Sequence, residues 1–391
     1  MELAIYLSLM SLSLGLFTSM TFLALTHLCI IIPALYFIRK TNFKEFNKST
    51  WFLLAMFVAF ILSVLLNQDI SDKGFSPITK TKYYLIAIIS IAPFSYYFNK
   101  LTEEERIKKI HYLLLGLFIT TTIAGIAGIY GALTGFNPLN QKIISTGRNC
   151  GLAGMVLNYS HNLALFQVIV TGMIFYREEI KKYINLNFLY VVWMFNLVAL
   201  IMTYSRGAIL AFFVAVPFYF FRKNKKVFLH SSMVVSFFVA IGYKFLGDYV
   251  LRPGSDVERV SQWKAAIVGF KERPIFGLGY LNFEMMSIPL KLKYGIEATH
   301  FGGHAHNNYL EALASTGIVG FICFMGWQIF WLIEMNKRED LMAKIAIPFI
   351  VAFIVGGMTQ ATFTLGANLF FIMGFYTLTQ INSSVVKKIS R

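Results

Sequence analysis

Charged side chains are scarce in this sequence. Asp, Glu, Lys and Arg make up 14% of its 391 residues, against roughly 25% in a soluble globular chain. A chain so poor in charge cannot cover its own surface with polar groups, which excludes an ordinary soluble domain. Cysteine is scarce too. Cys29, Cys150 and Cys323 lie far apart, two of them within apolar runs, which argues against a disulfide framework. No Lys or Arg precedes the first apolar run, so the basic leader of a cleavable signal peptide is missing, and that run is expected to remain in the membrane.

What the sequence does contain is apolar length. Hydrophobic residues make up 57%, with 39 Phe and 20 Tyr. Apolar runs recur from end to end at the length a helix needs to cross about 30 Å of hydrocarbon. They predict an all-α integral membrane protein of twelve transmembrane helices: Leu3–Phe17, Phe22–Ile38, Trp51–Leu66, Tyr83–Tyr97, Ile110–Leu133, Leu157–Tyr176, Phe188–Thr203, Ala208–Phe221, Phe228–Phe245, Tyr309–Glu334, Ile345–Met358 and Phe363–Thr379. None of these spans carries Asp, Lys or Arg at its middle, which tells against a proton- or ion-coupled transporter. His27 and His161 do fall within spans, and interhelical hydrogen bonding accounts for them without a transport role.

The formal charge of +16 raises the question of nucleic acid. Its distribution answers it. The even-numbered connections and the tail hold 21 Lys and Arg, while the short odd-numbered connections hold 6. By the positive-inside rule this asymmetry puts both termini in the cytoplasm and explains most of the charge, with no nucleic-acid partner. The one long connection, roughly 247–305, then faces outward. The expected organisation is helices one to nine over 1–246, the loop over 247–305, and helices ten to twelve over 306–391. Within the loop, Pro253-Gly254 read as a turn and Ser255-Asp256-Val257-Glu258 as a capping box. Val257, Val260, Trp263, Ile267 and Phe270 follow on one helical stripe, as expected of a helix lying on the membrane surface and ending before Pro274.

The residues with chemistry to offer gather at the outer helix ends. Arg206, in Tyr204-Ser205-Arg206-Gly207, opens the eighth span, where Ser205 is placed to cap and the helix start adds partial positive charge; this is either an anion site or an interfacial Arg that meets any lipid headgroup. His306 lies just before the tenth span, where Asn308 with Glu311 reads as a cap. Beside a positive helix end it should lose basicity and accept a proton, unless it is a plain loop histidine. Arg259 sits on the polar side of the surface helix, as a ligand or as a solvated charge. Arg148 lies in the third outer loop, beside lipid phosphate or in a binding role. His300 and His304 lack the cysteine or acidic spacing of a metal set, so no metal is expected.

Several of these residues also stand in a recognisable order. His306-Asn307, nine residues and Gly317 at the start of a late span form a pattern that resembles bacterial O-antigen ligases. Further points of similarity are Ser205-Arg206-Gly207, Arg259 four residues before Trp263 with Pro274-x-x-Gly277-x-Gly279 beyond, and Arg148…Gly151…Asn162-Leu163-Ala164. The resemblance covers nearly the whole chain. It implies a metal-independent membrane glycosyltransferase without cofactors, in a Gram-negative inner membrane. Its donor would be undecaprenyl-diphosphate-linked O-antigen and its acceptor lipid A–core oligosaccharide, joined at the periplasmic face by an inverting displacement. It assigns catalysis to His306, Arg206 and Arg259, with Arg148 and Asn307 as further substrate contacts. O-antigen polymerases and protein O-oligosaccharyltransferases belong to the same superfamily. A lipid-linked oligosaccharide transporter is the alternative outside it.

Overall fold

A helix stands in each of the twelve stretches where an apolar run predicts one. The computed structural model describes residues 1–144, 147–152, 154–245, 253–297, 300 and 302–386, and fifteen α-helices lie among them. They are α1 (Glu2–Gly15), α2 (Met20–Ile38), α3 (Lys48–Leu65), α4 (Ile78–Lys100), α5 (Glu103–Thr134), α6 (Val156–Phe175), α7 (Arg177–Ile180), α8 (Leu186–Ile201), α9 (Arg206–Ala215), α10 (Lys225–Phe245), α11 (Pro253–Glu272), α12 (Phe283–Lys293), α13 (Asn308–Asn336), α14 (Leu341–Gly357) and α15 (Gly366–Thr379). A two-stranded antiparallel ribbon, Phe136–Asn137 with Lys142–Ile143, is the sheet among these residues. The start of the long connection (246–252) and the basic tail (387–391) lie outside the described residues.

Four helices, α2, α3, α5 and α13, are long and apolar enough to cross a bilayer, and the chain is a multi-pass membrane protein. The helix α6 fails that measure for a physical reason. It is buried on nearly every side, so it carries Asn162 and Gln167 inward instead of apolar groups outward. Local chemistry sets the ends. Ser19 caps α2, its hydroxyl accepting from Thr21 N–H at 3.1 Å, which explains how a turn without charge or proline closes the first hairpin. α9 stops at Ala215 because Pro217 has no N–H to donate, and the chain continues as a 3-10 turn, Val216–Tyr219.

The core runs along α3, α6, α13, α14 and α15. Trp327 and Trp331 stack at 5.5 Å, and Phe349 meets Phe375 at 4.1 Å. Both intramembrane histidines are absorbed by the bundle. His161 Nδ1 bonds the Leu157 carbonyl of its own helix at 2.9 Å, and His27 lies on the Phe370 ring at 4.3 Å.

The long connection departs most from the sequence reading. Pro253 and Gly254 form the first turn of α11, not a separate turn, since a proline at a helix start loses no hydrogen bond. Ser255 to Glu258 therefore lie inside the helix and form no capping box. The apolar stripe is real in part: Val257, Val260 and Ile267 are exposed, while the opposite face (Ser261, Ala265, Ala266) is buried, and α11 packs across α13. The sequence pattern offers no helix at α12, because Pro289 interrupts it.

Candidate functional site

The backbone around Gly317 explains how the N-terminal part of α13 is held. Gly317 takes φ +63 and ψ −166, which breaks α13. The freed N–H groups are not wasted. Ile318 N–H donates to the Pro274 carbonyl at 2.8 Å and Val319 N–H to the Ile275 carbonyl at 3.3 Å, while Leu278 N–H reaches the Ala314 carbonyl at 2.9 Å. Gly277, also at positive φ, comes so close that a Cβ there would stand 2.5 Å from the Thr316 backbone. Only glycine fits both sides of this clip. Ser63 ties it to α3, its hydroxyl donating to the carbonyls of Phe276 (2.7 Å) and Ser315 (2.8 Å).

The turn before α13 is pinned residue by residue to the connection after α14. His306 Nδ1 bonds Gln360 Oε1 at 2.8 Å, Asn307 donates to the Met358 carbonyl at 3.1 Å, and Asn308 donates to the Thr362 hydroxyl at 3.0 Å. The cap of α13 is Asn307, which accepts from Tyr309 and Leu310 N–H, and not Asn308, which is buried in that connection. The Glu311 carboxylate completes no capping box. It lies one residue too far along, and accepts instead from Ala305 N–H (2.8 Å) and the Ser315 hydroxyl (3.1 Å). These contacts hold His306 at φ +49, a left-handed conformation that costs a non-glycine residue about 1–3 kcal/mol.

A second strained residue faces it. Tyr204, at φ +48, turns the chain from α8 into α9. Ser205 occupies the N-cap position of α9 but makes no side-chain cap, so the expected Ser205 cap does not form. Arg148 braces this turn, its Nε donating to the Thr203 carbonyl at 2.8 Å and its Nη2 to the Tyr204 carbonyl at 3.3 Å. Gly207 lets α9 touch the end of α14, since a Cβ there would overlap the Thr359 side chain at 2.0 Å.

These segments close on one cavity of about 200 Å³, at the starts of α6, α9 and α11 and the end of α14. Arg148, Arg206, Arg259 and His306 line it together, with Glu258 and Thr359. Of the sequence candidates only Asn307 stays off its wall, occupied as the cap. Arg206 and Asp256 form a forked pair, Nη2 to Oδ1 at 2.8 Å and Nη1 to Oδ2 at 3.4 Å, joining α9 to α11. Three guanidinium groups against Glu258 and Asp256 leave the cavity cationic. Burial pulls His306 below the usual histidine range, the bond to Gln360 opposes this, and Arg259 adds to the lowering. Burial thus does the work the sequence reading gave to the helix end. With Gln360 Oε1 accepting from Nδ1–H, Nε2 is the ring's proton acceptor.

Sequence reasoning missed Gln360, Asp256 and Glu258. Gln360 sits in an unremarked polar connection, and only its 2.8 Å contact marks it. The arrangement can hold an anion by forked cations and take a proton on a nearby imidazole.

Comparisons with known proteins bear on this cavity. Residues 189–325 match the family described as O-antigen ligase, a range that includes Arg206, Arg259, His306 and Gly317 but not Arg148 or Gln360. A Haemophilus influenzae protein named probable membrane transporter protein is 29% identical over 145 residues, which are 36% of this chain and 53% of its own length. The match thus spans about half of that relative. An uncharacterized protein of the same organism is 23% identical over 349 residues, 80% of each chain.

Proposed function

We propose that the chain, whose residues 189–325 match the O-antigen ligase family, transfers O-antigen polysaccharide from undecaprenyl diphosphate to lipid A–core oligosaccharide. The reaction would take place on the periplasmic side of a Gram-negative inner membrane. The observation that carries this reading is the single cavity shared by Arg206, Arg259 and His306. Arg206 and Arg259 hold the donor's diphosphate, Arg206 exchanging Asp256 for phosphate oxygens; the planar fork suits both partners. Arg148 adds charge at the rim while its Nε stays on the Thr203 carbonyl. His306 Nε2 takes the proton of the acceptor hydroxyl, whose oxygen bonds the anomeric carbon. The carbon–phosphate oxygen bond breaks, undecaprenyl diphosphate departs, and the configuration inverts. Preorganised cations at the departing anion supply the main stabilisation, and the imidazole contributes about 10²–10⁴-fold.

Deleting the gene and following the glycan separates the readings. A ligase leaves long polymer on undecaprenyl diphosphate and bare core on the outer surface. A polymerase of the same superfamily leaves single repeats instead. The name of the Haemophilus relative favours testing a transporter as well. Loss of the outer lipid-linked intermediate would support that reading and overturn ours.

A further inference from the structure

Three of the helices that carry the candidate site, α6, α9 and α14, pack on one another and carry a second cavity at their other ends. At α6's 20 residues the two lie about 30 Å apart along the bundle. The second cavity is the larger, about 410 Å³. Tyr176 borders it where α6 ends, Phe218 and Phe221 where the 3-10 turn after α9 gives way to α10, and Ile347 near the start of α14. Arg222, Lys223, Lys225 and Lys344 add four positive charges to this wall.

Ion pairing leaves part of that charge over. Arg222 is paired with Glu339, and Lys344 with Glu179 at 3.1 Å. Lys223 instead lies over ring faces, 4.5 Å from the centre of Tyr176 and 4.8 Å from that of Phe175. Topology alone requires basic residues somewhere on this face; it does not require them around a cavity with one aromatic wall. Phe221 is 39% exposed, so the apolar wall opens outward. We propose that this cavity binds an anionic phospholipid of the basic-rich side, its phosphate among Arg222, Lys223 and Lys225 and an acyl chain on Phe218 and Phe221. Basic pockets between membrane helices on that side suit such headgroups. The proposal does not depend on the transfer reaction.

The test titrates the full-length protein in detergent with phosphatidylglycerol, phosphatidylcholine or inorganic phosphate, reading bound lipid by native mass spectrometry and stability by melting. Phosphatidylglycerol should bind and raise the melting point where phosphatidylcholine does not. The pair Lys223→Gln and Lys225→Gln should weaken it on the order of 30-fold, at about one tenfold step or less per cation near the surface. Lys181→Gln with Lys182→Gln, on the same face outside the cavity, should leave affinity within about twofold, well below that loss. Equal binding of both lipids, equal loss from both variant pairs, or a matching response to inorganic phosphate would overturn the proposal. If the first pair fails to fold, Lys223→Glu alone must show the loss, and unchanged binding there counts against it equally.

Discussion

The two ends of α6, α9 and α14 are both cationic, yet they are built differently. One end uses arginines, a forked Arg206–Asp256 pair and a histidine, on a backbone strained at Tyr204 and His306. The other uses mainly lysines over aromatic rings, and no described residue in its wall takes a positive φ. Strain persists only where the surroundings over-determine it, and the pins from His306, Asn307 and Asn308 to the connection after α14 do so. Rigid, planar donors in a fixed frame suit charge that appears at one place during a reaction. Flexible ammonium groups on rings suit a headgroup that need only be held. The difference between the ends is thus one of preorganisation, not of charge.

The strongest way to break this comparison is at His306. His306→Ala should lower transfer by about 10²–10⁴-fold, with the protein still accumulating in membranes. His306→Gly sharpens the point, since glycine relieves the φ of +49 while removing the imidazole. Its melting point should match or exceed that of wild type although transfer is lost. Wild-type lipopolysaccharide capping in either variant would remove the histidine from the mechanism. Next in size is Gly317→Ala, which puts a Cβ about 2.4 Å from the Ile275 backbone at a φ only glycine tolerates. A loss of about 3 kcal/mol is expected, read as a lower melting point together with reduced transfer. An unchanged melting point would mean the clip does not hold the turn before α13. Arg206→Lys follows. It keeps the charge and loses the fork, so transfer should fall about 10–100-fold with little change in accumulation. Full activity from lysine would equate the two ends.

How much of this was legible beforehand depended on periodicity. Every apolar run became a helix, because length and composition report on burial in lipid. The cations Arg148, Arg206 and Arg259 were legible one by one, but nothing local says that α11 swings back over α9. That meeting rests on Asp256, fifty residues beyond Arg206, and side-chain pairs so far apart leave no trace in a single sequence. The cap of α13 escapes the sequence for the opposite reason. Either asparagine satisfies the capping rule, and only tertiary bonds to Met358 and Thr362 decide which one caps. Pro289 hid α12 because a proline normally marks a break, whereas here the helix runs through it.

Gln360 gives the finest test, since it acts on His306 without reaching the proposed substrates. The histidine serves as a base only when neutral, so transfer should fall on the acid side as pH drops through its pKa. Burial and Arg259 hold that pKa below the usual value of about 6.5, and the bond to Gln360 pulls the other way. Gln360→Glu places a carboxylate on Nδ1–H, which favours the imidazolium and must raise the pKa; the acid limb of the rate profile should shift toward neutral pH. Gln360→Leu removes the acceptor and should shift the limb to lower pH, with some loss of rate from a less fixed ring. Opposite shifts from these two variants, with kcat changing more than KM, are what a positioning residue produces. A merely structural glutamine would depress the rate at every pH and leave the limb where it was.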